Sequence, residues 1–396
     1  MNIFNSLGSN YSFGFALRAI FVRDREEYRI QLIEYLKGKY AGEVFLTYKG
    51  RGALRLALRM IASQKGKGGK KMAVAICGFT CFAVYEACVK EGMSVEYLDI
   101  DKNTLNFSVE TLQRGCEGNA AIKVVIVQNT LGYPSDIEKI SDFCKKRGIV
   151  LVEDLAHSIG AVYENGREAG TVGDFVVLSF SQDKMVDGVS GGAVVVKNHE
   201  LGIMNQGFVD VSLGQQMRDR FYPLLTWVIR TTYGVGLGKV AHAVLKRLDL
   251  LSRPMGEVQG DVVYGLPNWY CELIYLQFLN LQEDLEHRRR IALVYAKELH
   301  GSLVPKAVNL RFPIFVKERD RLIKHLRDKG VFVSDIWYDS PIAPKRFLKM
   351  TDYKHECPIS EELSEVIVNL PTHRNVSEED ARQIADYING PIVKEL

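Results

Sequence analysis

The stretch Ile149-Val-Leu-Val-Glu-Asp154 is a short β-branched apolar run that ends in two acids. Its length and composition predict a buried strand with a carboxylate at its carboxyl end. Further runs of this kind flank it between Lys71 and Val196, and helical patterns such as Ala83–Glu91 and Asp136–Arg147 separate them. Alternation of strands and helices at this spacing predicts an α/β fold with an open, mainly parallel sheet in three layers.

The other predicted strands of this sheet share that length and composition. They are Met72–Ile76, Ser94–Leu98, Ile122–Val127, Phe175–Phe180 and Ala193–Val196. Because ligands on such sheets bind beyond the carboxyl ends of the strands, polar residues that follow the strands are the candidates for a functional site.

A length of 396 residues is about right for two domains. Residues 1–263 are predicted to form a large α/β domain, in which 201–263 is an atypical insertion that is apolar and basic. Residues 264–396 are predicted to contain a long linking helix, roughly Glu272–His300, and a small C-terminal α+β domain. The final helix of that domain begins with a capping-box pattern, in which Asp380 follows Ser377 by three residues.

Composition excludes several classes of function. The 51 basic and 48 acidic residues give a net charge of +3, which is too even to predict a nucleic-acid partner. The seven cysteines, an odd number without C-x-x-C spacing, favour reduced thiols in a cytoplasmic enzyme. Cys77 and Cys81 lack a second pair or a nearby histidine, so no metal site is predicted. The first residues do not read as a signal peptide, and no segment has the length and apolarity of a membrane span.

Three short motifs place reactive groups where a ligand is expected. Asp154 ends a strand, Lys184 closes the turn Ser179-Phe-Ser-Gln-Asp-Lys184, and Gly50-Arg51-Gly52 begins a helix. Alone, these motifs are weak, because Asp154 could simply cap the next helix and Lys184 could be a solvated loop residue. Together they match what pyridoxal 5'-phosphate needs, namely a lysine for covalent attachment, an acid at the ring nitrogen and a helix N-terminus for the phosphate.

Three arginines recur at four-residue intervals along the helix that follows Gly50. We predict a solvated face for Arg55 and Arg59, whereas Arg51, beside the glycines, could belong to that face or to the phosphate site.

The order and spacing of these motifs resemble those of the DegT-type sugar aminotransferases, a fold type I pyridoxal-phosphate family that acts mostly on nucleotide-linked keto-sugars. The likeness runs from about Tyr48 to Ile388, outside the insertion. The segments that carry it are Gly50-Arg51-Gly52, Phe79-Thr80-Cys81, Val152-Glu-Asp154-Leu-Ala-His157, Ser179–Lys184 with Gly191-Gly192, Asn309–Pro313 and Leu370–His373.

The resemblance implies a role for each of these residues. Lys184 would carry the cofactor and move protons during catalysis, Asp154 would pair with the ring nitrogen, and His157 would lie against the ring. Ser179 and the turn Gly50-Arg51-Gly52 would bind the phosphate.

A second cofactor-contacting loop, with Thr80 and Cys81, departs from the family pattern. Many members carry an aromatic residue that stacks on the cofactor where Cys81 stands. His157, Phe79 or Phe82 could cover the ring instead.

The resemblance further implies ping-pong transamination from an amino donor, glutamate, to a nucleotide-linked keto-sugar in polysaccharide or natural-product sugar biosynthesis. It implies a homodimer with a shared active site, in which Asn268 would contact the partner's cofactor, although the arginine that many members carry beside it is absent. Three alternatives stay open: a sugar dehydratase with the same cofactor, an aminotransferase for a non-sugar ketone, and a non-catalytic binding protein. Such dehydratases carry a histidine in place of the lysine, so Lys184 favours transamination.

The insertion is longer and more apolar than the family pattern. From Arg218 to Arg253 it carries seven basic residues against Asp219 and Asp249. This composition predicts helices packed on the large domain or at a dimer interface, or else a peripheral contact of residues 218–253 with a membrane surface. Arg230 within the apolar stretch argues against a membrane span.

Overall fold

The computed structural model describes residues 2–65, 71–197, 207–252, 262–299, 309–334 and 337–390. Its strands are β1 (Ile3–Phe4), β2 (Glu43–Thr47), β3 (Ala73–Cys77), β4 (Thr80–Cys81), β5 (Ser94–Leu98), β6 (Ile122–Val127), β7 (Val150–Asp154), β8 (Phe175–Ser179), β9 (Gly192–Val196), β10 (Arg311–Phe315), β11 (Val331–Phe332), β12 (Ile342–Ala343) and β13 (Ile367–Pro371).

The helices lie between these strands and in the insertion. They are α1 (Phe13–Phe21), α2 (Glu26–Tyr40), α3 (Gly50–Lys65), α4 (Phe82–Lys90), α5 (Val109–Gly118), α6 (Ile137–Arg147), α7 (Leu213–Thr231), α8 (Leu237–Arg247), α9 (Asn268–Leu279), α10 (Leu281–Glu298), α11 (Arg319–Asp328), α12 (Pro358–Val366) and α13 (Glu378–Asn389).

The central sheet has seven strands in the order β2-β9-β8-β7-β6-β3-β5. The pairs from β8 to β5 are parallel, and β9 runs antiparallel between β8 and β2. All six strands predicted from the sequence are present within two residues of their predicted bounds, and the α/β fold with a mainly parallel sheet is confirmed. Strand β2 was not predicted.

Side chains of each central strand alternate between two cores, one on each face of the sheet. In β7, Val150 and Val152 belong to a cluster that includes Leu58 of α3. Leu151 belongs to a cluster on the other side that includes Ile140 of α6. This alternation follows from the two-residue period of a strand, and it explains why the strands are apolar throughout.

The C-terminal part packs its own core against β10 and β13, which pair antiparallel. Phe312, Ile323 and Ile384 lie in this core. The capping box at Ser377 and Asp380 is confirmed, with both reciprocal hydrogen bonds present. The predicted linking helix is instead two helices, because the chain leaves helical geometry at Asn280 between α9 and α10.

The first strand joins the beginning of the chain to its C-terminal part. Ile3 and Phe4 pair in parallel with Val331 and Phe332. The division into 1–263 and 264–396 stays a prediction, and the small domain's predicted stretch at 300–308 lies outside the described residues.

The insertion is described at 207–252 and 262–263, so Arg253 lies outside the described residues. It forms α7 and α8, which pack with α1 around Tyr11 and Tyr222. No helix within the described ranges combines the length and apolarity that crossing a membrane requires.

Candidate active site

A cavity of about 200 Å³ lies at the carboxyl ends of β7 and β8, where the topology places a ligand. The first turn of α3, the start of α4 and a small-domain segment close its walls. Predicted site residues that line it are Gly50, Arg51, Thr80, Cys81, Asp154, His157, Ser179 and Lys184. Gly52 and Asn268 are the predicted site residues that do not line it.

The two acids that end β7 have different surroundings. Glu153 is fully buried and accepts hydrogen bonds from the Tyr163 hydroxyl and from the backbone N–H groups of Gly170, Val172 and Gly173. These bonds hold the chain between β7 and β8, so Glu153 has a structural function.

Asp154 lines the cavity and accepts a 3.0 Å hydrogen bond from the Ala156 N–H. Burial raises the pKa of its carboxyl, while the Ala156 bond and the nearby Lys184 amine oppose that shift. Because Ala156 is the one hydrogen-bond donor that this carboxylate has in the described structure, it can still accept a hydrogen bond from a cationic N–H of a ligand.

Lys184 is half-buried, and its amine lies 4.9 Å from the centroid of the Trp337 ring. Burial lowers the pKa of this amine, and the Arg311 guanidinium acts in the same direction while Asp154 opposes it. A lowered pKa increases the neutral fraction of the amine, and the neutral form is the nucleophile. Lys184 and Asp154 therefore share one cavity and one electrostatic environment.

The loop that carries Lys184 is held by Asp187, which is buried. Its carboxylate accepts hydrogen bonds from the backbone N–H groups of Asp183 and Val189 and from the Tyr11 hydroxyl. The Asn10 amide donates to Asp187 and to the carbonyl of Lys184, both at 3.1 Å. The N-terminal segment thus fixes the turn on which the lysine stands.

The phosphate site predicted at the N-terminus of α3 lies where backbone segments approach closely. A Cβ at Gly50 would lie 2.6 Å from the Ser179 Cβ, and a Cβ at Gly192 would lie 2.6 Å from the Gly50 nitrogen. Only glycine fits at these two positions. Lys49 lines the same cavity, and its amine is buried, lies 4.9 Å from the centroid of the Tyr48 ring and has no hydrogen-bond partner in the described structure. Burial lowers its pKa.

The solvated face predicted for Arg55 and Arg59 of α3 is wrong, because both arginines form ion pairs. Arg55 is buried and pairs with Glu91 at 2.8 Å, and Arg59 pairs with the same carboxylate at 2.9 Å. Arg51 lines the cavity and also forms an ion pair with Glu86. The stripe therefore joins α3 to the end of α4.

The second predicted loop is fixed by hydrogen bonds around Gln128. Thr80 donates to the Gln128 side-chain oxygen at 2.6 Å, and the Gln128 amide donates to the carbonyl of Phe79 at 2.7 Å. Of the three side chains considered as a cover for the cofactor ring, His157 lines the cavity. Phe79 and Phe82 are not among the lining residues and pack instead in the two cores of the sheet.

His157 contacts residues from the C-terminal part of the chain that sequence reasoning missed. Its Nδ1 lies 3.0 Å from the Tyr338 hydroxyl, and its ring lies 5.5 Å from that of Trp337. Burial lowers the pKa of His157 well below its ordinary value, so the ring is neutral at physiological pH. Both aromatic residues line the cavity. They follow no strand of the sheet, and no local pattern connects them to it.

Arg311, in the segment Asn309–Pro313, does not line the cavity but packs against Trp337, which does. Its guanidinium carbon is 3.7 Å from the Trp337 ring centroid, and both terminal nitrogens are buried without a hydrogen-bond partner in the described structure. Burial lowers the pKa of Arg311 to about 10. A buried cation with unused donors is a binding group for an anion.

Asn268 is the first residue of α9 and is half-buried away from its own chain's cavity. Gly52 lies in the first turn of α3 beside Thr47 and Val263, and a Cβ there would meet neighbours at 3.6 Å. Neither residue lines this chain's cavity.

Comparisons with known proteins agree with this geometry. A family model described as the DegT/DnrJ/EryC1/StrS aminotransferase family matches residues 24–389. A "pleiotropic regulatory protein" of Geobacillus stearothermophilus is 26% identical over 354 residues, which cover 86% of this chain and 82% of that protein. A GDP-perosamine synthase of Vibrio cholerae is 25% identical over 377 residues, covering 92% and 90%. The crystal structure of a DegT DnrJ EryC1 StrS aminotransferase from Brucella abortus matches with a TM-score of 0.69 at 21% identity, covering 95% of each chain.

Proposed function

Because this chain belongs to the DegT/DnrJ/EryC1/StrS aminotransferase family, we propose that it transfers an amino group from glutamate to a ketone of a nucleotide-linked sugar. The chain is an aminotransferase, and its cofactor is pyridoxal 5'-phosphate, on which this family depends. The observation that carries the proposal is that Lys184 and Asp154 line one cavity at adjoining strand ends.

The residues of the cavity fit this cofactor. The unpartnered Lys49 amine and the glycine-lined start of α3 suit a phosphate, with Ser179 beside them. The Asp154 carboxylate suits a protonated ring nitrogen, and the neutral His157 ring suits the cofactor's face. Thr80 and Cys81 would complete the binding site.

Bound pyridoxal phosphate supplies an aldehyde that accepts the amino group and a ring that accepts electrons when the substrate loses a proton. Lys184 would hold the cofactor covalently and, once released, carry that proton between the reacting carbon atoms. Its lowered pKa keeps a larger fraction of the amine unprotonated for both tasks. Asp154 would keep the ring nitrogen protonated.

An amino-acid donor needs a cation for its carboxylate. Arg311 does not line the cavity, but its two terminal NH₂ groups have no hydrogen-bond partner in the described structure and stack on the same Trp337 ring that Lys184 approaches, so a shift of that ring would expose them to a donor carboxylate. Its guanidinium can bind a carboxylate with two parallel hydrogen bonds. This supports a dicarboxylic amino acid such as glutamate as the donor.

The sugar substrate rests on likeness to relatives. The matched Vibrio cholerae protein is named as a synthase of a GDP-linked amino sugar. We infer a nucleotide-linked keto-sugar of polysaccharide or natural-product biosynthesis as the acceptor. The seven free cysteines support a cytoplasmic location.

The first experiment identifies the cofactor link and the half-reaction. The purified protein should absorb visible light with added cofactor, and borohydride reduction should fix the label on Lys184. Glutamate should then release 2-oxoglutarate, and Lys184→Ala should abolish turnover. Release of 2-oxoglutarate together with failure to aminate any keto-sugar would favour an aminotransferase for a non-sugar ketone. Absence of 2-oxoglutarate release despite bound cofactor would favour a dehydratase. A protein that stays colourless would favour a non-catalytic binding protein.

We further infer a homodimer in which Asn268 contributes to the partner's site, since it lies outside its own cavity. Lys184→Ala and Asn268→Ala chains, each impaired alone, should recover activity when co-assembled, because one of the two sites is then intact. A mixture of Lys184→Ala with Asp154→Ala should not recover, since both residues line the same chain's cavity. Equal behaviour of the two mixtures would refute the shared site.

A further inference from the structure

Three helices expose apolar stripes on the side of the molecule that carries the insertion. In α1 the exposed residues Phe13, Leu17 and Phe21 recur every four residues, and Phe21 is 75% exposed. Spacing of this kind places side chains on one helix face. A stripe of large exposed apolar residues on one face is unusual for a surface that meets only water.

The insertion repeats this pattern in both of its helices. The exposed residues of α7 are Leu213, Met217, Phe221 and Val228, and Leu213 is 79% exposed. Helix α8 exposes Leu237, Val240 and Val244, and Leu248 directly after it is also exposed; Leu237 is 67% exposed. All these positions follow helical spacing.

These stripes are not the faces by which the helices join the protein core. Helix α7 buries Tyr222 and Ile229 on the opposite side from its stripe, and Ala241 and Leu245 of α8 pack against that cluster. Helix α1 buries Ala16. Each helix therefore has one apolar surface for the fold and a second one that the fold leaves uncovered.

The three helices form one layer. The Phe13 ring of α1 lies 4.8 Å from the Trp227 ring of α7. Arg220 of α7 donates to the carbonyl of Ile20 at 3.2 Å and to that of Val22 at 2.7 Å. Helix α8 packs against α7 in turn. The apolar stripes accordingly belong to neighbouring helices, which we call the helical surface (α1, α7 and α8).

The charges on the helical surface have one sign. Its basic residues are Arg18, Arg218, Arg220, Arg230, Lys239, Lys246 and Arg247. Asp219 is the single acid within these helices, and it is fully buried, where it accepts hydrogen bonds from Tyr48 and Tyr270. At the edges, Asp249 pairs with Arg218 and Glu272 pairs with Arg18. Arg220 and Arg230 donate to backbone carbonyls. The remaining basic residues, Lys239, Lys246 and Arg247, are exposed, so the exposed surface is apolar and basic.

We propose that the helical surface binds peripherally to a membrane with anionic headgroups, its apolar stripes entering the headgroup boundary and its basic residues meeting lipid phosphates. This combination is the one that interfacial amphipathic helices use. A second copy of the chain is disfavoured, because a two-fold contact would bring like charges together. No described helix is suited to cross the bilayer, which agrees with a contact that stays at the surface.

Sedimentation of the holoenzyme with vesicles tests the proposal. The wild type should bind vesicles of phosphatidylcholine with phosphatidylglycerol, bind vesicles of phosphatidylcholine alone far more weakly, and lose affinity in high salt because salt screens the charges. The variant Val240→Glu/Val244→Glu should partition at least tenfold less, with unchanged transaminase activity to show that it is folded. Neither residue lies near the cavity.

The matched control places glutamate at two exposed apolar residues elsewhere. Leu293→Glu/Met350→Glu removes comparable surface outside the helical surface and should bind as the wild type does. Absence of wild-type binding to anionic vesicles, or equal losses in the two variants, would overturn the proposal. So would a Val240→Glu/Val244→Glu variant that changes the oligomeric state but not vesicle binding, since the surface would then join copies of the chain.

Discussion

The adjacent carboxylates Glu153 and Asp154 should respond in opposite ways to loss of charge. Each oxygen of Glu153 accepts two buried donors: one oxygen accepts the Val172 and Gly173 N–H groups, and the other the Gly170 N–H and the Tyr163 hydroxyl. In Glu153→Gln an amide NH₂ replaces one of these oxygens, and the favoured orientation turns it toward the Tyr163 hydroxyl, which can accept as well as donate, so the Gly170 N–H loses its acceptor. At about 1–3 kcal/mol for an unsatisfied buried donor, the free energy of unfolding should fall by about 2 kcal/mol.

Asp154→Asn is the matched control. Because burial raises the pKa of this carboxyl, folding disfavours its charged form relative to the unfolded chain. Its contribution to stability is complete below the ordinary pKa of aspartate and is lost as pH rises through the raised pKa of the folded state. At pH 8 the Asp154→Asn apoprotein should therefore be at least as stable as the wild type. Its affinity for pyridoxal phosphate should nevertheless fall at least tenfold, since the partner of the ring nitrogen has lost its charge.

Urea unfolding of the apoproteins at pH 8, followed by tryptophan fluorescence, measures the first effect, and absorbance titration with the cofactor measures the second. Glu153→Gln within about 1 kcal/mol of the wild type would refute the assignment of four buried donors to this carboxylate. Asp154→Asn with wild-type cofactor affinity would remove Asp154 from the site.

Three further predictions concern the cavity. Gly50→Ala should weaken cofactor binding at least tenfold, because its Cβ would lie 2.6 Å from the Ser179 Cβ of β8. Gly52→Ala is the control: its Cβ would have its nearest neighbour at 3.6 Å, so it should keep wild-type affinity, and titration with the cofactor compares the two variants. Tyr338→Phe removes the hydroxyl bonded to the His157 ring and should lower the rate of the glutamate half-reaction by roughly 3- to 10-fold, measured by stopped-flow absorbance, with an unchanged rate counting against that contact. Because burial lowers the pKa of Lys184, the cofactor should stay covalently attached at pH values well below the ordinary lysine pKa. Attachment is followed by absorbance as the pH is lowered, and loss of attachment at the pH expected for an exposed lysine would contradict the effect of burial.

The sheet could be predicted because its central strands are buried on both faces and read as continuous β-branched runs. Strand β2 was missed, since Glu43–Thr47 is half-buried and alternates in character at the sheet edge. The prediction for Arg55 and Arg59 was wrong for a related reason. Spacing shows that residues share a helix face, but not that Glu91 of another segment covers that face.

The site divides in the same way. Asp154 and Lys184 could be placed because each follows a strand, and the topology brings the strand ends together. Trp337 and Tyr338 could not, because they reach the cavity from a segment distant in sequence that follows no strand of the central sheet. Lys49 went unnoticed because a lysine beside a glycine turn resembles a solvated residue until its burial is seen.

The first residues of the chain limit how far the cavity can open. Asn5 donates to the carbonyl of Asn369 in the small domain at 2.6 Å, and Asn10 donates to the carbonyl of Lys184. Five residues of fully extended chain span at most about 17 Å. Any movement of Asn369 away from Lys184 must therefore stay within that tether or break its hydrogen bonds.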